Sequence, residues 1–234
     1  MKSYYPLFAD LEGRQCVVVG GGLIAERKVG VLVRCGAQVT VISPTATRRL
    51  KTWARAGRIR YVQRRFRPQD VRGAWLAVAA TNDQSINEAV FRNATRRRIF
   101  TNVVDQKPLC SFIVPAIARR GPLTIAVSTG GASPAIAKRV RSEMSRWLSE
   151  EYVPMLRLLA SLRGPAKRRL PAYNDRKRYF NGLVAGKVFR LVRSGEVPRA
   201  RRLALALLEQ QASNGPACAA PGVRELSAAG RTQA

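Results

Sequence analysis

The chain has 234 residues, 46% of them hydrophobic, and its 42 Lys and Arg against 14 Asp and Glu give a net charge of +28, with no histidine. That size and apolar content fit one large or two small folded domains rather than a disordered chain, and no apolar run approaches the roughly 18 residues of a membrane span. The missing imidazole excludes Ser-His-Asp and Cys-His nucleophilic sites and any His-ligated zinc, so proton chemistry falls to carboxylates, hydroxyls or lysines.

The opening "MKSYYPLFADLEG" has no apolar signal core, so the expected location is the cytoplasm. "QCVVV" (15–19) reads as a short buried strand and is followed by a triple-glycine turn. In "LIAERKVGVLVRCG" the residues Ile24, Val29, Leu32 and Val33 recur at helical spacing, and Gly36 is placed to end that helix. A second strand (38–42) leads into a helix over "SPTATRRLKTWARAG", ending at Gly57. Strands follow at 59–64 and 74–81, then a helix at 84–98 and a fifth strand at 99–104. Strands and helices alternate, and the strands are apolar enough for burial on both faces, which predicts a parallel, doubly wound α/β sheet.

The rhythm changes after Asp105. "SFIVPAIARRGPLTIAVSTGG" predicts two antiparallel strands around an Arg-Gly-Pro turn. Ser133-Pro134 then starts a helix whose apolar face is Ile136, Val140, Met144, Trp147 and Leu148. Residues 151–163 and 175–211 read as amphipathic helices, with breaks at Gly164-Pro165 and Pro171. The end, 213–234, is small, polar and without period, and reads as disordered. The four cysteines (Cys16, Cys35, Cys110, Cys218) form no CxxC pair and read as reduced structural residues. No metal-ligand cluster is visible. The charge divides into +17 over 1–150 and +11 over 151–234, so it is spread rather than gathered in a tail. It fits a polyanionic partner, nucleic acid or a small molecule with many carboxylates, as well as an arginine-rich solvated surface.

The glycine turn "GGGLIA" has a physical role between a strand and a helix. Gly20 makes the tight turn, Gly22 lets the backbone approach a pyrophosphate, and Ala25 keeps helix and strand close, while the helix N-terminus faces the negative charge. A dinucleotide site is therefore expected. The acidic residue that would hold the adenosine ribose is missing from the end of the second strand, where Ser43 stands. Arg48 and Arg49 nearby are suited to a 2′-phosphate, so spacing alone leaves NAD and NADP both open.

Together with that turn, "AVAATND" (77–83), "TNVVD" (101–105), "SFIVPA" (111–116) and "VSTGGASPAIAKRVR" (127–141) occur in one order. Over about residues 1–210 the chain resembles the precorrin-2 dehydrogenase/sirohydrochlorin ferrochelatase module that forms the N-terminal part of siroheme synthase. Many such proteins add a methyltransferase domain; this chain has no room for one and resembles the stand-alone form. The resemblance implies a Rossmann-like NAD-binding domain (1–105), a small β/α dimerisation segment (106–150) and an all-helical domain covering the tetrapyrrole (151–212).

The implied activity is NAD-dependent oxidation of precorrin-2 to sirohydrochlorin, followed by insertion of ferrous iron, a substrate, to give siroheme, in a homodimer. Carried over by position, contacts to NAD fall at Gly22, Leu23, Ile24, Ser43, Pro44, Thr45, Thr81 and Asn82, with Asn102 and Val103 nearby. Asp105 is the aspartate implicated in both reactions. Ser128 and Thr129 are expected at the substrate, although Thr129 stands where related chains can carry serine. Read without the resemblance, Asp105 is either a turn or cap residue or a proton-accepting carboxylate at the C-terminal end of a central strand, where open α/β sheets place ligands, and Ser128, Thr129 and Ser133 also fit a Gly-Gly turn and helix cap. Among other carboxylates, Asp83 is expected to cap the helix that follows it, and Asp10, Glu12 and Glu26 to lie on the opposite or solvated side of the first strand–helix unit.

Two rival readings stand. A non-enzymatic Rossmann protein sensing NAD would keep the glycine turn without needing Asp105. A nucleic-acid binder would account for +28, but the chain is only 7% aromatic, has no interleaved stacking platforms and carries no recognised nucleic-acid motif.

Overall fold

A computed structural model of the chain describes residues 3–213. Except for Ser213, the tail expected to be disordered lies outside the described residues, as does Cys218. The first half forms β1 (Gln15–Val19), α1 (Leu23–Arg34), β2 (Gln38–Ile42), α2 (Arg48–Arg55), β3 (Arg60–Val62), β4 (Leu76–Ala79), α3 (Gln84–Thr95) and β5 (Phe100–Val103). All four strand pairings are parallel, in the order β3-β2-β1-β4-β5. This is the predicted Rossmann-like sheet. The order reverses between β1 and β4, and such a switch point opens a crevice at the carboxyl ends of the strands.

Alternation along β1 splits the core into two layers. Cys16 and Val18 pack with Ala25 and Val29 of α1 and Leu50 of α2. Val17 and Val19 face the other way, with Val90 and Ala94 of α3. Gly36 and Gly57 follow α1 and α2 with φ of 74° and 68°, a conformation glycine adopts without penalty. α2 is shorter than its sequence suggests. Thr47 caps it by accepting from Leu50 N, so residues 43–47 are left as a loop against the glycine turn.

Beyond β5, a hairpin of β6 (Ala116–Arg120) and β7 (Leu123–Val127) turns at Gly121-Pro122. α4 (Pro134–Trp147) follows, with Ser133 Oγ accepting from Ile136 N at its start. The described residues divide into two compact units, 3–116 with 126–140 and 117–125 with 141–213. The second unit holds α5 (Tyr152–Arg169), α6 (Tyr173–Ala185), α7 (Lys187–Arg193) and α8 (Val197–Ser213) around a core that includes Leu158, Leu162, Leu183 and Leu208. Two helix assignments differ from the sequence reading. α5 runs unbroken through Gly164-Pro165, and the stretch 175–211 is three helices, separated at Gly186 and at Ser194–Glu196. No helix among the described residues is long and apolar enough to cross a membrane.

Candidate active site

The three glycines after β1 divide the work between packing and access. A Cβ on Gly20, whose φ is 122°, would lie 2.2 Å from Ala80 O, because the backbone after β4 crosses there. A Cβ on Gly21 would lie 1.9 Å from Thr45 O, and Thr47 N donates to Gly21 O at 2.9 Å. The Ser43-Pro44-Thr45 loop is therefore laid directly on the turn. Gly22 differs. It is the N-cap of α1, it is exposed, and nothing lies within 4 Å of an added Cβ.

No side chain caps α1, and the large apolar side chains of its first two residues, Leu23 and Ile24, are 67% and 44% exposed. Ala25 is fully buried between helix and sheet. An open backbone, uncapped N–H groups and apolar flanks fit a pyrophosphate with its attached rings.

Around this turn the other predicted residues lie at the same edge of the sheet. Ser43 follows β2; it is buried, and its carbonyl accepts from the Tyr61 hydroxyl at 3.0 Å. Thr81 and Asn82 follow β4. The Thr81 hydroxyl bonds Asn87 Oδ1 at 2.9 Å, and Asn87 Nδ2 returns to Thr81 O at 3.0 Å, so Thr81 braces its own loop while Asn82 stays exposed. Asp83 caps α3, accepting from Ile86 N. The hydrogen bond from Ser85 first, then that from Ile86 N, hold its carboxyl below the usual range.

Glu26 departs from the sequence reading. Only 14% of its side chain is exposed; it accepts from Thr47 Oγ1 at 2.7 Å and pairs with Arg49 at 3.6 Å. The reason is that α2 begins beside the first turn of α1, which draws the carboxylate inward. Arg49 also lies 4.8 Å over the Trp53 ring.

At the end of β5, Val103 is buried and the Asn102 side chain is fully engaged. Its Nδ2 donates to Phe112 O at 3.2 Å and reaches Cys110 Sγ at 3.5 Å, while its Oδ1 accepts from Lys28 Nζ at 3.5 Å. The Cys110 thiol is a clamp, accepting from Val103 N at 3.3 Å and bonding back to Val103 O at 3.2 Å. Asp105 stands exposed in the loop so closed, with φ 58°, a left-handed conformation that Asp tolerates better than most residues.

Lys107 donates to Gly130 O at 2.8 Å and so ties the Asp105 loop to the turn that carries Ser128 and Thr129. In that turn Ser128 Oγ accepts from Gly130 N, and Thr129 Oγ1 accepts from Ser133 N. Lys28 and Lys107 escape sequence reading, because a lysine in a basic chain carries no motif. For Lys28 the available signal is its position three residues after Ala25 and one before Val29, on the flank of the buried stripe. Among the described residues no group of three or more His, Cys, Asp or Glu could hold a metal ion.

Comparison with known proteins aligns with this layout. Three family profiles match in succession: one described as putative NAD(P)-binding over residues 7–116, one as sirohaem biosynthesis protein central over 120–146, and one as sirohaem synthase dimerisation region over 151–208. Siroheme synthase 1 of Serratia proteamaculans (strain 568) is 36% identical over 215 residues, covering 91% of this chain and 45% of that protein. Siroheme synthase 1 of Pectobacterium atrosepticum is 36% identical over 229 residues, covering 97% and 48%. The chain thus spans about half the length of these curated relatives. Among solved structures, SirC, precorrin-2 dehydrogenase, matches with a TM-score of 0.71 and 27% identity, covering 88% of this chain and 100% of that one.

Proposed function

The chain belongs to the family of siroheme synthases and precorrin-2 dehydrogenases, and from that premise we propose that it oxidises precorrin-2 to sirohydrochlorin with NAD and then inserts ferrous iron to yield siroheme. One observation supports this reading above the others. The open glycine turn and the exposed Asp105 lie past the carboxyl ends of strands of one parallel sheet, on the edge where its switch point opens a crevice.

Gly20, Gly22, Leu23 and Ile24 would receive the dinucleotide at the start of α1. Ser43, Pro44 and Thr45 would border the adenosine side, and Thr81, Asn82, Asn102 and Val103 would form the floor toward the nicotinamide. Bound there, NAD supplies an acceptor for the hydride that leaves precorrin-2. Asp105 takes the proton released in the same oxidation, and the pyrrole protons displaced when iron enters. Ser128 and Thr129, tied to the Asp105 loop through Lys107, border the tetrapyrrole. NAD is the cofactor expected from the family, and of the two arginines suited to a 2′-phosphate, Arg48 and Arg49, the second already pairs with Glu26 at 3.6 Å.

The domain boundaries read from sequence belong to this proposal, as does the homodimer. Its interface would begin in 106–150 and extend into 151–208, the stretch that the family profile describes as the dimerisation region. Free thiols at Cys16, Cys35 and Cys110 agree with a cytoplasmic location.

The test is conversion of precorrin-2 with the appearance of NADH. Asp105→Ala is expected to lower the rate by about a hundredfold or more, the scale of losing a general acid–base group, while NAD affinity holds and stability falls by about 1 kcal/mol because Ala is less tolerant of the left-handed backbone there. Asp105→Asn keeps the shape but accepts no proton. Full activity in both variants would remove Asp105 from the mechanism.

A further inference from the structure

Lys28 is the one lysine that reaches from α1 to the end of β5, and its surroundings explain why a cation stands there. It lies in the second turn of α1. It is also half-buried, flanked by the buried Ala25 and Val29. Burial pulls the ammonium below the usual lysine range, and only the Cys110 thiol and the Asp105 carboxylate act in the other direction. A charge placed against burial needs compensation, and the compensation comes from one segment. Asn102 Oδ1 accepts from Nζ, Asn102 Nδ2 is fixed on Phe112 O, and Cys110 closes the loop that presents Asp105.

We propose that Lys28 is a positioning residue for Asp105, holding the β5 terminus through its 3.5 Å bond to Asn102 and so fixing the loop that presents the carboxylate. The proposal rests on the reading above that Asp105 handles the protons. The division of labour follows from reach. Asp105 is exposed in its loop, whereas Lys28 is half-buried and bonded to Asn102. With no histidine in the chain, the orientation of the proton acceptor falls to its own loop and to what anchors that loop. Lys107, two residues after Asp105, is occupied with Gly130 O.

Four forms of the full chain test this: Lys28→Met, Lys28→Arg, Asp105→Asn and the Lys28→Met/Asp105→Asn double variant. Lys28→Met is expected to lower kcat for precorrin-2 oxidation about tenfold, with calorimetric NAD affinity falling by clearly less because Asn102 stays held on Phe112 O, and Lys28→Arg to restore part of the loss. Combined with Asp105→Asn, Lys28→Met should cost nothing further, because residues acting as one unit are not additive.

A second readout needs no turnover. Only a neutral amine is methylated reductively, and Asp105 favours the charged form of Lys28. Methylation of Lys28, read by mass spectrometry on the unliganded protein, should therefore speed up at least about threefold in Asp105→Asn. Fully active Lys28→Met beside an impaired Asp105→Asn overturns the Lys28 assignment alone, as do effects that multiply in the double variant or an unchanged methylation rate. A fully active Asp105→Asn overturns the premise and the proposal together, and it is recognised by its own wild-type rate.

Discussion

At the scale of single residues, the glycine turn shows what spacing reveals and what it hides. Three consecutive glycines between a strand and a helix mark a place of close backbone approach, but not what approaches each of them. Gly20 and Gly21 are confined by protein backbone from β4 and the β2–α2 loop, elements tens of residues away, while Gly22 alone faces open space. This separates stability from binding. Gly21→Ala forces Thr45 O, 1.9 Å from the new methyl, to move, and is expected to cost about 1–3 kcal/mol in urea unfolding. Gly22→Asp meets nothing and puts a favoured residue at an N-cap, so its unfolding midpoint should not fall. Its NAD affinity should nevertheless drop at least about a hundredfold, since like charges brought together cost several kcal/mol. A Gly22→Asp protein that binds NAD normally in calorimetry would move the cofactor off this turn. Lys28 and Lys107 illustrate the complementary limit. Their importance comes from partners at positions 102 and 130, which no local pattern announces.

At the scale of elements, the Rossmann half follows its sequence closely, α2 with its late start at Arg48 excepted, because propensity, periodicity and end signals agree in the other segments. The helical half shows what happens when they conflict. Gly164-Pro165 reads as a break, since proline removes a hydrogen bond and crowds the preceding turn, at a cost of about 3 kcal/mol. Yet α5 continues to Arg169, because Leu162 and Ala166, on either side of the proline, are both fully buried in the helical core. Burying one Leu side chain is worth roughly 1.5–3 kcal/mol; together with Ala166 and the turn beyond it, this offsets the proline. The strain remains available to a substitution. Pro165→Ala restores the missing N–H and should raise stability by about 1–2 kcal/mol, the proline's effect on the unfolded chain taking back part of the gain. A lowered midpoint in thermal unfolding would mean instead that the core is shaped around the ring.

At the scale of the whole molecule, strand–helix alternation is enough to read a parallel sheet, but strand order depends on pairings that one sequence does not display. The charge is legible from the first count and ambiguous until a partner is proposed. With a tetrapyrrole carrying many carboxylates as that partner, +28 has two consequences of opposite sign. Within one encounter the basic protein attracts a polyanion, and salt weakens that attraction. Between two copies the same charge repels. What would hold them together is apolar: along α4, Ile136 and Trp147 are 56% and 60% exposed while Leu148 is buried within its own chain. Salt screens the repulsion and leaves the apolar contact intact. Raising ionic strength from about 0.05 to 0.5 M shortens the Debye length from roughly 14 to 4 Å. Over that range the KM for precorrin-2 should rise several-fold, and the dimer dissociation constant from light scattering should fall. If both constants rise with salt, the dimer is held by charge pairs and the α4 stripe is not its centre. If neither changes, the basic residues are a solvated surface and play no part in drawing in the substrate.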